Sequence, residues 1–138
     1  TAFAAKSLKT TNTRNKKVVR YILFALEKQR SGRDFEFESS AYNLEHILPE
    51  NPSDAWNHMD DHQQDRCIYR IGNMTPMESS VNRDLGNSGY EHKRDALRQS
   101  QFQLTQSVAE RYDEWDESKI EARQKSMAEL AASIWKIN

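Results

Sequence analysis

The sequence predicts a mostly helical α+β domain. Apolar residues recur at helical spacing through most of the C-terminal half, and only two short segments, 42–48 and 74–77, read as extended. At 138 residues the chain fits one domain, which would bury roughly two-thirds of its unfolded surface.

Residues 1–13 are rich in Ala, Ser, Thr, Lys and Asn and read as a basic arm or linker. Thr13 is placed to cap a helix running to about residue 30, with Val18, Val19, Ile22, Leu23 and Leu26 as its apolar stripe and Ser31-Gly32 as its stop. Over 34–40, Phe35 and Phe37 alternate with acids, a short strand or extended lead-in; these two segments make up a 14–41 unit. The extended stretch 42–48 ends at Pro49 and Pro52. Ser53 and Asp54 open a helix expected over 53–70, with Trp56, Met59, Cys67, Ile68 and the following Ile71 facing a core. Gly72-Asn73 makes a turn, 74–77 a second strand, 78–85 a short helix and 86–89 a loop. Helices follow over about 90–99, 104–113 and 117–136. In the last, Ile120, Met127, Leu130, Ala131, Ile134 and Ile137 share a face, and Trp115 and Trp135 bracket it as core anchors.

The chain is polar: 30% of residues are charged and 36% hydrophobic. No apolar run approaches the ~20 residues of a membrane span, and no signal-peptide core opens the sequence. The first residue is Thr1, so a domain cut from a longer protein is expected. A single cysteine, Cys67, excludes an internal disulfide and a multi-cysteine zinc site, and reads as a small buried apolar residue. His58 and His62 stand four apart, but the Met59-Asp60-Asp61 between them is no zinc-protease signature, and they read as a solvated face. Residues 1–20 carry six basic side chains and no acid, leaving −7 on the remainder of a chain whose net charge is −1. That asymmetry suits phosphate contacts near the N-terminus and equally suits a linker.

The chemistry concentrates in Asn43-Leu44-Glu45-His46-Ile47-Leu48-Pro49, followed by Gly72-Asn73-Met74-Thr75-Pro76-Met77 and Asn82. Hydrolysing a phosphodiester requires an activated water, stabilisation of added negative charge and a proton for the leaving oxygen. A neutral imidazole suits the first task, and one hard cation on oxygen ligands suits the others. At a strand end Glu45 and His46 project to opposite sides, so metal and attacking water would flank one phosphate. Asn82, on a helix packed against that strand, brings a carbonyl oxygen to the same ion.

These residues resemble the HNH (His-Me finger) nucleases, and the variant resembles the C-terminal nuclease domain of GmrSD-type, modification-dependent restriction enzymes. The resemblance continues through Tyr90-Glu91-His92-Lys93-Arg94 and from Leu97 to Ser100, then Trp115, Ile120, Arg123 and Trp135, covering residues 42–137. It implies a ββα-metal element over 42–87 embedded in a helical bundle, with 88–138 as a helical tail. It makes His46 the general base, Glu45 and Asn82 the ligands of one divalent metal (Mg²⁺, with Mn²⁺ an alternative), and Asn73 a brace that fixes His46 through backbone hydrogen bonds. Lys93 would contact a phosphate. The basic side chains expected to meet DNA are Lys16, Lys17, Arg20, Arg83, Lys93 and Arg94. The approach from Pro49 to Asn73 is longer than in minimal fingers, and no zinc knuckle braces the fold; the tail would supply that bracing.

The resemblance further implies a bacterial, cytoplasmic effector of anti-phage restriction acting on modified or foreign DNA, fused behind a ParB-like nucleotide-hydrolysing domain. The rival reading is a non-catalytic DNA-binding or partner-docking domain that keeps the finger as scaffold. An RNA-directed nuclease is a third.

Overall fold

A computed structural model describes residues 8–135 of the chain. Lys6 and Ile137, used in the sequence reading, lie outside the described residues. The architecture is mostly helical α+β: a two-stranded antiparallel hairpin wrapped by helices.

Helix α1 spans Lys16–Ser31. Its cap is Asn15, whose side chain accepts from the Val18 N–H, while Thr13 accepts from the Asn15 N–H one step earlier. Gly32 ends it at φ 75°, the left-handed conformation that lets its N–H reach the Lys28 carbonyl. Val19, Ile22, Leu23 and Leu26 face inward as expected. Val18 does not: it is 46% exposed, whereas Glu27 on the same helix is buried. That carboxylate is fully buried and accepts from the Gln103 and Leu104 N–H groups, capping another helix from outside it.

Residues 34–40 form no strand. The Arg20 guanidinium holds them by donating to the carbonyls of Phe37, Ser39 and Tyr42, so side-chain hydrogen bonds replace a ladder. Strand β1, Tyr42–His46, pairs with β2, Met74–Glu78, with Glu45 opposite Thr75 and His46 opposite Met74. Alternation sorts the two faces. Leu44 and Met74 join a core with α1; Met77 joins a second with Trp56, Cys67, Tyr90, Val108 and Trp115.

The helix expected over 53–70 is broken. A 3-10 turn, Asp54–Trp56, precedes α2, Asp61–Cys67, because Asp60 and Gln63 form a reciprocal capping box that starts a fresh helix. Helix α3, Ser79–Leu85, follows β2 directly; then come α4, Tyr90–Arg98, α5, Gln103–Arg111, and α6, Glu117–Ile134. Helix α6 packs on the turn before β2. Gly72 is required there: a Cβ would stand 2.4 Å from the Ile120 carbonyl oxygen. No described helix is long and apolar enough to cross a membrane.

Candidate active site

The end of β1 carries Glu45 and His46, both buried and on opposite faces of the hairpin. On the Glu45 face, Asn82 of α3 donates its side-chain N–H to Glu45 Oε1 at 2.8 Å and to the Leu44 carbonyl at 3.1 Å, and its own oxygen accepts from Asn43. Lys93 of α4 approaches from the other side, with Nζ 2.9 Å from Glu45 Oε2. That contact is an ion pair by distance but not aligned as a hydrogen bond, and Oε2 has no other partner. The Lys93 ammonium donates instead to the carbonyls of His46 and Ile47, at 2.9 and 3.0 Å. Burial pushes the Glu45 carboxyl up and the Lys93 ammonium down, and their mutual attraction opposes both shifts.

The sequence reading of Lys93 as a phosphate contact is therefore corrected. The side chain is fully buried and its ammonium faces three protein oxygens, so it acts from inside the fold, tying β1 to α4.

His46 faces a different environment. It lines a small cleft with Thr13, Arg14, Lys16, Val19, Tyr69 and Met74. Burial holds its imidazole below the ordinary histidine value, with Glu50 pulling the other way and Lys16 and Lys93 reinforcing burial. The neutral form, which can accept a proton, is thus the resting form at neutral pH. Glu50 Oε1 lies 3.8 Å from His46 Nδ1, and the Tyr69 hydroxyl donates to Glu50 Oε2 at 2.8 Å. The Arg14 guanidinium sits 4.3 Å over the Tyr69 ring. Glu50 and Tyr69 were not singled out from sequence. Glu50 follows two residues of turn signal at Pro49, and Tyr69 lies on a different segment, so no local pattern links them.

Asn73 braces this end of the hairpin. Fully buried, its oxygen accepts from the Leu48 N–H at 2.8 Å and the Trp115 indole at 3.0 Å; its NH₂ donates to the carbonyls of Leu48 and Ile68. It touches neither Glu45 nor His46. Helix α6 braces β2 from behind: Arg123 donates to the carbonyls of Gly72 and Met74 and to Thr75 Oγ1, and burial lowers its pKa to about 10. Gln124 accepts from the Gly72 N–H.

The basic side chains divide. Lys16, Lys17 and Arg83 are exposed. Arg20 is held by the 34–40 segment, and Arg94 donates to the Ala109 carbonyl and to Asp113 at 2.8 Å. These two are committed to protein groups. A cavity of about 980 Å³ belongs to neither face of the hairpin; Glu91, Glu114, Glu117 and Glu121 line it, a wall of the wrong sign for a polyanion.

Glu45 and Asn82 can be tested as cation ligands. One carboxylate beside one carboxamide is an oxygen donor set of the kind a hard ion takes, and the Lys93 ammonium stands 2.9 Å from the carboxylate oxygen that such an ion would compete for. Asn82 would have to turn its amide so that Oδ1 replaces Nδ2. No group of three or more His, Cys, Asp or Glu placed to hold a metal ion occurs among the described residues.

Fold and site together define a mostly helical α+β domain whose polar cluster sits on the end of one buried hairpin. The chain belongs to the family of GmrSD restriction endonuclease C-terminal domains, whose model matches residues 1–130. No curated protein matches it.

Proposed function

We propose that this domain is a divalent-metal-dependent DNA endonuclease of the HNH type, the effector part of a restriction system that attacks modified or foreign DNA. The observation that carries the reading is one strand end with a neutral imidazole in a cleft beside basic side chains and a buried carboxylate on its other face. His46 takes the proton from the attacking water. Lys16 and Arg14 flank that cleft and supply positive charge for the phosphate. Exposed Lys17 and Arg83 extend the charge beyond it. Asn73 holds the turn after β1, so that the imidazole keeps its direction. Glu45 and Asn82 would hold the ion, Mg²⁺ or Mn²⁺, which supplies charge stabilisation at the phosphate when bound.

The family description supports the restriction-endonuclease part of this reading. The domain would be one unit, with a 42–87 finger and a helical tail, working in a bacterial cytoplasm behind a ParB-like nucleotide-hydrolysing domain. A second reading has its own support: the Lys93 ammonium already neutralises Glu45, as in a finger kept as a scaffold for binding without chemistry.

A plasmid-relaxation assay separates the two. Supercoiled DNA is incubated with the domain or its His46→Ala variant, with Mg²⁺, Mn²⁺ or EDTA. The endonuclease reading expects metal-dependent nicking that falls by roughly 10²–10⁴-fold in the variant. Binding that persists in EDTA with no cleavage by the parent chain would leave the scaffold.

A further inference from the structure

The group that orients His46 was not apparent in the sequence. We propose that Glu50, anchored by Tyr69, is the positioning residue for His46: it accepts from Nδ1–H and so keeps Nε2 unprotonated as the proton acceptor. The inference deepens the endonuclease reading and rests on it for its catalytic consequence, but not for its structural one.

The geometry is specific. Of the two imidazole nitrogens, Nδ1 is the one facing Glu50, 3.8 Å from Oε1. That is longer than a hydrogen bond, and the Glu50 side chain is 41% exposed, so solvent rather than packed side chains surrounds part of it; in the proposed arrangement the carboxylate turns about its bond to Tyr69 to close the gap. The second carboxylate oxygen is already held by Tyr69 at 2.8 Å. Tyr69 in turn meets the imidazole edge-on, ring centroids 5.8 Å apart, and is covered by Arg14. One tyrosine therefore touches both members of the pair and keeps Glu50 beside the imidazole. The tyrosine hydroxyl also holds the Glu50 carboxyl below its ordinary value, so Glu50 is an anion, the form that accepts.

The chemical consequence follows from imidazole tautomerism. A neutral histidine has one N–H and one lone pair, and the partner of the first decides where the second lies. With the proton on Nδ1, Nε2 can take a proton from water, and Glu50 stabilises the resulting imidazolium without itself being protonated. A histidine with no such partner distributes its proton between the nitrogens, and the fraction with the wrong tautomer is inactive.

The test reads the tautomer directly. The domain carries four histidines, so ¹⁵N-labelled imidazoles are observable by NMR, with His46 assigned by loss of its signals in His46→Gln. At mildly alkaline pH the parent chain should show His46 protonated on Nδ1. Glu50→Ala should redistribute the proton toward Nε2, Glu50→Gln should largely preserve the Nδ1–H form because its amide oxygen still accepts, and Tyr69→Phe should be intermediate. For cleavage, Glu50→Ala should lower kcat roughly 10–100-fold, taking the loss seen when partners that orient metal-binding imidazoles are removed as the measure, with KM unchanged. A parent His46 protonated on Nε2, or a tautomer unmoved in Glu50→Ala, overturns the proposal. Cleavage with unchanged kcat in Glu50→Ala overturns the catalytic part and leaves the endonuclease standing. If the parent chain cuts no DNA with any metal, the endonuclease reading fails, and the tautomer still decides the role of Glu50.

Discussion

Replacing Asn73 by alanine should unfold the domain more readily without touching the reacting groups. The side chain is fully buried and makes four hydrogen bonds: two accepted, from the Leu48 N–H and the Trp115 indole, and two donated, to the carbonyls of Leu48 and Ile68. Alanine orphans all four partners. A buried group left unsatisfied costs about 1–3 kcal/mol; the low end applies where the vacated space admits a water, so the loss should be about 4 kcal/mol. Against a total of roughly 5–15 kcal/mol for a domain, that is a large fraction. Urea unfolding measures it: with m of about 2 kcal/mol per M, the midpoint should fall by about 2 M at unchanged m. Asn73→Asp keeps the accepted bonds but sets a carboxylate against two carbonyls, and should be no more stable. A loss below about 1 kcal/mol accompanied by abolished cleavage would refute the bracing role and make Asn73 a direct participant.

Three further substitutions test the frame around the site. Gly72→Ala forces a Cβ to within 2.4 Å of the Ile120 carbonyl and 2.8 Å of Gln124 Cβ, so calorimetry should show a loss of roughly 1–3 kcal/mol or more as α6 is pushed off the turn. Glu27→Ala removes the acceptor for the first two N–H groups of α5; chemical denaturation should register about 1–2 kcal/mol, and amide exchange at Gln103 and Leu104 should accelerate. Lys93→Met leaves Glu45 buried without its cation, a loss of about 3–5 kcal/mol at neutral pH. Because Glu45 already titrates above the ordinary carboxyl value when folded, its folded form binds a proton more readily than its unfolded form. The variant's deficit should therefore shrink as pH falls and grow as it rises through the folded value, which urea midpoints across that range would show.

Much of this arrangement was legible in the sequence because it is local. The helical stripe Val19, Ile22, Leu23 and Leu26, the two short strands and the order of the following helices all follow from periodicity and turn residues. So does the opposition of Glu45 and His46 across one strand, which needs only a period of two. Most of what escaped depends on contacts distant in sequence, and one miss is local. The helix expected over 53–70 looked continuous because Trp56, Met59 and Cys67 keep a plausible spacing; the capping box at Asp60 and Gln63 competes locally and wins. Lys93 read as a phosphate contact beside Arg94, and nothing nearby signals that Glu45 and two carbonyls wait for it inside. Arg20 likewise read as a free basic residue, whereas the strandless 34–40 segment owes its course to it.

The burial of Lys93 also bears on how the site can hold an ion. Its ammonium gives buried Glu45 one compensating charge and stands 2.9 Å from the carboxylate oxygen that has no hydrogen bond. An ion there would share that oxygen with the ammonium, and two cations on one carboxylate repel. The two carbonyl bonds of Lys93 point to the resolution: with His46 and Ile47 as acceptors, the ammonium keeps two partners when its hold on Glu45 loosens. Lys93 would then tether the backbone carrying His46 while Glu45 is released to the ion. The two carbonyl bonds hold the end of β1 independently of the pairing with Glu45. That is why methionine at position 93, which fills the volume but donates nothing, should cost stability whether or not an ion is bound.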